Sequence, residues 1–215
     1  MLFDLYDTLA WSRWGELSDH VADRLGLDRF ALHAAYDATR HERSVGAYGS
    51  VEGDMAAVVR AAGIEPDPAL IRELVDHERA FLADGGVTLY EDSIEVAGEL
   101  RTRGVRTALV SNCSHSTIPL VPLLGLDRLL DVVVLSVEAG VAKPDAGVYL
   151  AALERLAVPP EAAVFVDDQT RYCDGAAAVG VQTRLILRPS TSPVEGISIE
   201  ANGHRVITDL HALLD

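Results

Sequence analysis

The sequence has little of what would mark a secreted or membrane protein. Its two cysteines, Cys113 and Cys173, are too few for a disulfide framework and are not spaced like a metal-binding motif. No apolar run reaches about 18 residues, so no membrane span is predicted. No pattern of a signal peptide precedes the first apolar stretch. We therefore expect a cytoplasmic protein.

Basic residues are also scarce. The chain has 18 Lys and Arg against 33 Asp and Glu, a formal net charge of −15. Binding to nucleic acid or to an anionic membrane depends on clustered cationic side chains, so we predict neither as a partner. The acidic excess favours small ligands or a metal cation, and an anionic substrate needs a local site that overrides the overall field. The sequence does not predict an oligomeric state.

The second half of the chain alternates apolar runs with helical patterns. The apolar runs cover residues 106–110, 132–136, 163–166 and 183–187, and the helical patterns lie near 92–103, 146–157 and 173–179. Continuous apolar strands separated by helices are typical of a parallel sheet that is covered on both faces. The opening "MLFD" fits the same sheet.

The segment after the first strand reads as helices. Ser50 is a candidate cap for a helix over 51–62, and Asp67 followed by proline is a candidate cap for a helix that continues to about 82. Weaker helical patterns cover 16–26 and 29–44. We predict an α/β fold, with a Rossmann-like parallel sheet core formed by residues 1–14 and 85–215. A helical insertion of residues 15–84 interrupts this core.

Polar residues follow the predicted strands at their carboxyl ends, where open α/β sheets bind ligands. They are Asp4, Ser111, Asn112, Asp167 and Asp168, with Lys143 in the stretch that precedes the next helix. Each residue alone is typical of a turn or a helix cap. Three neighbouring carboxylates repel one another unless a cation lies among them, and oxygen ligands suit Mg²⁺. An aspartate in such a site is also a candidate nucleophile.

Four segments carry a family resemblance. "FDLYDTL", "LVSN", "AKPD" and "FVDD" resemble, in order and spacing, the four motifs of the haloacid dehalogenase-like hydrolase superfamily. The helical insertion of residues 15–84 is similar to the type 1 cap domain of that superfamily. The resemblance therefore implies a Rossmann-like core with an α-helical cap over its site.

The resemblance also implies catalytic and substrate-binding roles. Asp4 would be the nucleophile, and Ser111 would hydrogen-bond the transferred group. Lys143 would neutralise Asp4 and the substrate anion. Thr8 would help to orient the first loop, and Asn112 would complete the anion cradle.

A metal site is implied in the same way. Asp168 would be the main acidic Mg²⁺ ligand besides Asp4, with Asp167 in support and Tyr6 contributing its backbone carbonyl. Tyr172 occupies a place where members of the superfamily often have Asp or Asn, which is expected to weaken metal binding somewhat.

Tyr6 leaves the reaction open. Phosphatases of the superfamily usually carry an aspartate here as general acid and base, whereas a phenol with a pKa of about 10 is a poor base near neutrality. Tyrosine resembles the metal-free 2-haloacid dehalogenase branch, but that branch lacks the acidic pair Asp167 and Asp168. We favour a Mg²⁺-dependent phosphatase of a small phosphorylated metabolite. The alternatives are a 2-haloacid dehalogenase and a weakly active or non-catalytic ligand-binding or scaffolding protein.

Candidates for substrate contact lie nearby. Arg40, with His41 and Arg43, is a candidate for binding an anionic substrate tail, although a solvated helix face is the simpler interpretation. Trp11 and Trp14 follow the nucleophile closely and would form either an aromatic wall of the site or hinge packing.

Overall fold

The computed structural model describes residues 1–188 and 201–214. Its strands are β1 (Leu2–Phe3), β2 (Ala10–Ser12), β3 (Val87–Leu89), β4 (Ala108–Ser111), β5 (Val132–Leu135), β6 (Val164–Asp167), β7 (Gln182–Ile186) and β8 (Arg205–Ile207). Six of them form one parallel sheet in the order β5-β4-β1-β6-β7-β8. The predicted α/β fold with a Rossmann-like sheet is confirmed.

Helices surround the sheet, and five of them lie between β2 and β3 in the sequence. They are α1 (Trp14–Leu25), α2 (Arg29–Ala38), α3 (Arg40–Ser44), α4 (Val51–Ala61), α5 (Pro68–Ala83), α6 (Glu91–Thr102), α7 (Leu120–Leu123), α8 (Leu126–Leu129), α9 (Ser136–Ala139), α10 (Ala146–Leu156) and α11 (Thr170–Ala178). We call α1 to α5 the helical insertion. None of the helices in the described ranges is long and apolar enough to cross a membrane.

Apolar side chains cover both faces of the sheet, as the continuous apolar strands predict. In β1, Leu2 packs into a buried cluster with Tyr149 and Phe165, while Phe3 belongs to a second cluster. The second cluster continues into the helical insertion through residues such as Leu74. One apolar core therefore joins the sheet to the insertion and fixes the strand ends beneath it.

The helix caps predicted from the sequence are present. Ser50 Oγ accepts a hydrogen bond from the Gly53 amide at 3.0 Å, and Asp67 accepts from the two amides at residues 69 and 70 at the start of α5. The helical pattern predicted over 29–44 is present, but as two helices, α2 and α3, that are divided at Thr39. The Thr39 hydroxyl donates to the carbonyl of Ala35 at 3.0 Å, a bond that competes with regular helix geometry.

An antiparallel ribbon that the sequence did not predict connects the insertion to the core. Ala10 of β2 pairs with Leu89 of β3, and Ser12 pairs with Val87. Strands of three residues carry too short a pattern to be recognised as alternating. β8, which also has three residues, was not predicted for the same reason.

Candidate active site

The sheet order brings Asp4 and Asp167 to one place. From the central strand β1 the chain goes to β4 and β5 on one side and then to β6, β7 and β8 on the other, so the switch point lies between β1 and β6. Asp4 follows β1, and its amide donates to the carbonyl of Val166 in β6 at 2.9 Å. Asp167 ends β6. Ligand-binding residues are expected at this point of an open parallel sheet.

Lys143 joins these two carboxylates. Its Nζ lies 2.5 Å from Asp4 Oδ1 and 2.7 Å from Asp167 Oδ2, and its side chain is fully buried. Both carboxylates raise the pKa of Lys143 against the burial that lowers it, so the ammonium stays charged. The predicted neighbourhood of Asp4 and Lys143 is therefore present in the structure.

Asn112 fixes the loop that carries Lys143. The Lys143 amide donates to Asn112 Oδ1 at 2.7 Å, and Asn112 Nδ2 donates to the Lys143 carbonyl at 2.9 Å. Asn112 also lines the cavity above the strand ends. Its carbonyl oxygen and one of its amide hydrogens are thus used to position Lys143, which the sequence did not predict.

Three carboxylates meet at this edge of the sheet. Asp4, Asp167 and Asp168 each present an oxygen, and these oxygens lie within 4.8 Å of one another. Burial, together with the charges of Asp4 and Asp167, raises the pKa of Asp168 to about 8. Burial also raises the pKa of Asp4, which Lys143 opposes. A cluster of oxygen ligands with excess negative charge fits Mg²⁺, so these residues are able to hold the metal.

The two aspartates after β6 differ in how their oxygens are used. Asp167 accepts from the Gln169 amide at 2.8 Å through Oδ1 and from Lys143 through Oδ2. Asp168 lines the cavity instead. Donors of the protein thus engage both Asp167 oxygens, whereas Asp168 borders the cavity.

The Tyr6 hydroxyl is engaged by a side chain outside the carboxylate cluster. It shares a hydrogen bond of 3.1 Å with Thr117 Oγ1, and its ring packs against Trp14 at a centroid distance of 5.9 Å. Burial raises the pKa of Tyr6 above its usual range, so the phenol stays protonated. Trp14 also packs against Phe81 at 5.6 Å, and it is both a wall of the cavity and part of the packing between core and insertion.

Two predicted hydroxyl residues are buried without a partner. Thr8 Oγ1 and Ser111 Oγ make no hydrogen bond within the described residues. An unsatisfied buried hydroxyl is costly, which is consistent with a missing polar partner near the end of β4 for Ser111. The Thr8 hydroxyl therefore makes no hydrogen bond to any of those residues that would orient the first loop. The Thr8 backbone carbonyl instead accepts two hydrogen bonds from Arg188, at 2.6 and 3.2 Å.

Arg188 was missed by the sequence reasoning. Besides Thr8 it binds Asp92, with Nη1 at 2.6 Å and Nη2 at 3.0 Å from the carboxylate oxygens. Both side chains are nearly buried. Arg188 thereby connects the loop after Asp4 to the end of β7 and to α6. No local sequence pattern predicts a contact between such distant segments.

A cavity of about 490 Å³ lies between the strand ends and the helical insertion. Asp4, Tyr6 and Asp168 form its floor, and Arg40 of α3 lines it from above, where its guanidinium pairs with Asp37. Trp11 lies on β2 with 37% of its surface exposed, and it does not line this cavity. Residues that line the cavity but were not predicted include Asp37, Gln169 and Arg171.

Comparisons with known proteins identify the family of the chain. A model of the haloacid dehalogenase-like hydrolase family matches residues 1–180. The chain belongs to the haloacid dehalogenase-like hydrolase family.

Individual proteins that the chain resembles are named as phosphatases or as dehalogenases. Phosphatase MT3486 of Mycobacterium tuberculosis is 32% identical over 145 residues, which cover 66% of this chain and 62% of the relative. Glyceraldehyde 3-phosphate phosphatase of Methanopyrus kandleri is 31% identical over 144 residues, which cover 64% and 60%. A solved structure of a dehalogenase with an intermediate complex has a TM-score of 0.69 at 22% identity and covers 99% of this chain and 93% of that one. This likeness shows the fold alone.

The chain spans less than two thirds of the length of the curated relatives that it matches. The reaction and the substrate of the whole protein are therefore matters for proposal.

Proposed function

We propose that this protein is a Mg²⁺-dependent phosphatase of a small phosphorylated metabolite. The observation that carries the proposal is the cluster of Asp4, Asp167 and Asp168 beside one buried ammonium, because a single ammonium balances only one carboxylate and Mg²⁺ would supply the missing positive charge. Relatives named as phosphatases support the same choice of reaction.

Asp4 is the nucleophile in this proposal. Lys143 holds Oδ1 of Asp4, and we assign the attack on phosphorus to Oδ2. The bond from phosphorus to the leaving oxygen breaks as the bond to Asp4 forms, giving an aspartyl phosphate. Water then attacks that phosphorus, which releases inorganic phosphate and restores the carboxylate.

Other residues orient the transferred group. Lys143 offsets the charge of Asp4 and of the substrate, and the unpartnered hydroxyl of Ser111 donates to a phosphate oxygen. Mg²⁺, held by Asp4, Asp168, the Tyr6 carbonyl and, in support, Asp167, would neutralise charge on the phosphoryl oxygens.

The helical insertion serves as a cap in this proposal. Residues 15–84 cover the core of residues 1–14 and 85–215, and the cavity is lined from both sides. A closed cap excludes water from the reacting group. Arg40, which lies on the cavity wall of the insertion, would contact the substrate.

No aspartate occupies the position of the general acid. The Tyr6 phenol is bound to Thr117, so the leaving oxygen receives its proton from water or from another cavity residue. Substrates whose leaving group needs little protonation should react fastest.

Carbon-halogen hydrolysis is the second candidate. Tyr6 favours it, and the acidic cluster opposes it. A weakly active or non-catalytic protein that binds a ligand is the third.

The first experiment measures turnover of 4-nitrophenyl phosphate and of small sugar phosphates with Mg²⁺ and with EDTA. We expect turnover only with Mg²⁺, and a loss of at least about a hundredfold in kcat for Asp4→Asn and Asp168→Asn. Asp127→Asn is the control, because Asp127 is an exposed carboxylate on α8. Halide release from 2-chloropropionate that persists in EDTA would establish the dehalogenase instead.

We also propose a cytoplasmic location. Cys113 and Cys173 are both free and buried, which is common in proteins of a reducing compartment.

A further inference from the structure

A second cavity adjoins the one above the carboxylates. Its volume is about 310 Å³, and it shares Tyr6, Trp14 and Asn112 with the first cavity. It lies between the helical insertion and the loop after β4. Neither Asp4 nor Asp168 lines it. The proposed phosphoryl transfer therefore leaves this space to the part of the substrate that does not react.

Two charged side chains with free bonding capacity line this second cavity. Glu78 of α5 is only 9% exposed, and a hydrogen bond from the Ser116 side chain uses part of its accepting capacity. Arg43 of α3 donates from Nε to Thr39 Oγ1 at 3.0 Å and from Nη2 to the Tyr36 carbonyl at 2.9 Å, while Nη1 has no partner among the described residues. No salt bridge joins Arg43 to Glu78 within the described ranges, yet each influences the pKa of the other. A donor and an acceptor thus remain available to a ligand.

The charges on the walls of the second cavity cancel. Arg40 forms an ion pair with Asp37, and the charge of Arg43 is offset by that of Glu78 in the same wall. A second phosphate or a carboxylate on the substrate would meet carboxylates here as well as guanidinium groups, and its charge would stay unbalanced. The occupant that the electrostatics favours is uncharged.

Hydroxyl groups fit these walls. A hydroxyl both donates, as a carboxylate requires, and accepts, as a guanidinium requires. Leu17, Tyr36 and Trp14 add apolar and aromatic surface, against which the C–H faces of a carbon chain or ring pack. An alkyl chain would offer no hydrogen bond to the Glu78 carboxylate or to Arg43 Nη1.

We propose that the second cavity binds the uncharged, hydroxylated part of the substrate, a sugar or polyol, and that Glu78 and Arg43 are its specificity-determining residues. The inference rests on the proposed function in one respect, which is that the phosphate end lies at Asp4.

Calorimetric binding to the Asp4→Asn variant tests the inference without turnover. Ribose 5-phosphate and n-pentyl phosphate are suitable ligands, because both are five-carbon phosphate monoesters and they differ in ring and hydroxyl groups. We expect ribose 5-phosphate to bind at least about tenfold more tightly. Adding Glu78→Gln or Arg43→Lys should remove most of this difference and leave the affinity for pentyl phosphate within about threefold.

Glu73→Gln is the matched control, since Glu73 lies on the same helix as Glu78 but pairs with Arg24 on the surface. The melting temperature of each variant checks that it is folded. Equal affinity for the two esters, no measurable binding of either, or equal effects of Glu73→Gln and Glu78→Gln would each overturn the inference. Hydroxyl-dependent binding without turnover in the native chain would leave it standing and overturn the phosphatase.

Discussion

A single ammonium holds two carboxylates of the candidate active site. Lys143 reaches Asp4 and Asp167 at 2.5 and 2.7 Å, and Asn112 binds its backbone on both sides. Removing a buried charge from such a set leaves its partners unbalanced, so the effect is larger than that of one hydrogen bond. Asp4 is thereby oriented by residues that are far from it in the chain, and Lys143 opposes the rise in its pKa that burial causes.

Tyr6 is the residue that bears most directly on the proposed reaction class. Its hydroxyl is engaged with Thr117 at 3.1 Å, and its ring rests on Trp14. The phenol therefore fills the place of a general acid without offering a titratable proton near neutrality.

Replacing Tyr6 tests this view. For Tyr6→Asp we expect kcat on an alkyl phosphate ester to rise about tenfold or more, since a positioned acid protonates the leaving oxygen. Turnover of 4-nitrophenyl phosphate, whose leaving group needs little protonation, should change far less. Tyr6→Phe keeps the ring and is the control, with both rates expected to stay near those of the native chain. A large loss in Tyr6→Phe would show instead that the phenol acts in the reaction.

Close packing of two elements sets the position of the loop that carries Lys143. A methyl group on Gly175 of α11 would lie 2.6 Å from the Pro144 carbonyl oxygen and 3.0 Å from Pro144 Cα. Glycine is therefore required where α11 passes this loop. The contact fixes Pro144, and with it the neighbouring Lys143, against the helix that follows Asp168.

Two alanine variants distinguish this contact from helix propensity. We expect Gly175→Ala to lower stability by about 1–3 kcal/mol, because the backbone must move, and to lower kcat through the shift of Lys143. Gly98→Ala in α6, where nothing lies within 4 Å of the added methyl group, should instead raise stability by about 1 kcal/mol. Thermal unfolding and turnover measure both effects. An equal gain in stability for the two variants would contradict the packing argument.

Charge acts on the molecule as a whole and again at the carboxylate cluster. Because the net charge is −15, any dissolved cation stabilises the folded protein by screening the repulsion between its carboxylates. Binding of Mg²⁺ to Asp4 and Asp168 would add a second, specific stabilisation. The raised pKa of Asp168, about 8, means that the folded metal-free protein holds a proton that the unfolded chain loses near pH 4. Its stability should therefore fall as the pH rises from about 4 to about 8.

Thermal unfolding at pH 8 separates these effects. At a hundredfold excess over its Kd, Mg²⁺ should stabilise the protein by about 2.7 kcal/mol, or about 5–10 °C in Tm. NaCl of equal ionic strength should raise Tm less. Asp168→Asn should abolish the difference between the two salts and reduce the decline of stability with pH. An equal response to both salts in the native chain would argue against a metal site.

Much of the fold and part of the candidate site were predictable. The apolar runs became β4 to β7, and the caps at Ser50 and Asp67 begin helices where predicted. The helical segment predicted over 29–44 is present, but it is divided at Thr39, whose side-chain hydrogen bond the apolar pattern does not reveal.

What the sequence determined by itself was local and contiguous. Strand periodicity, caps and four short motifs each lie within a few neighbouring residues, and the strand ends brought Asp4, Asp167 and Lys143 together as predicted. Only the tertiary structure decided that Arg188 anchors the Thr8 carbonyl across 180 residues and that Arg43 faces Glu78 in a second cavity. The reason is physical: a hydrogen bond between distant segments, or a space enclosed by several of them, leaves no periodic trace in any one segment.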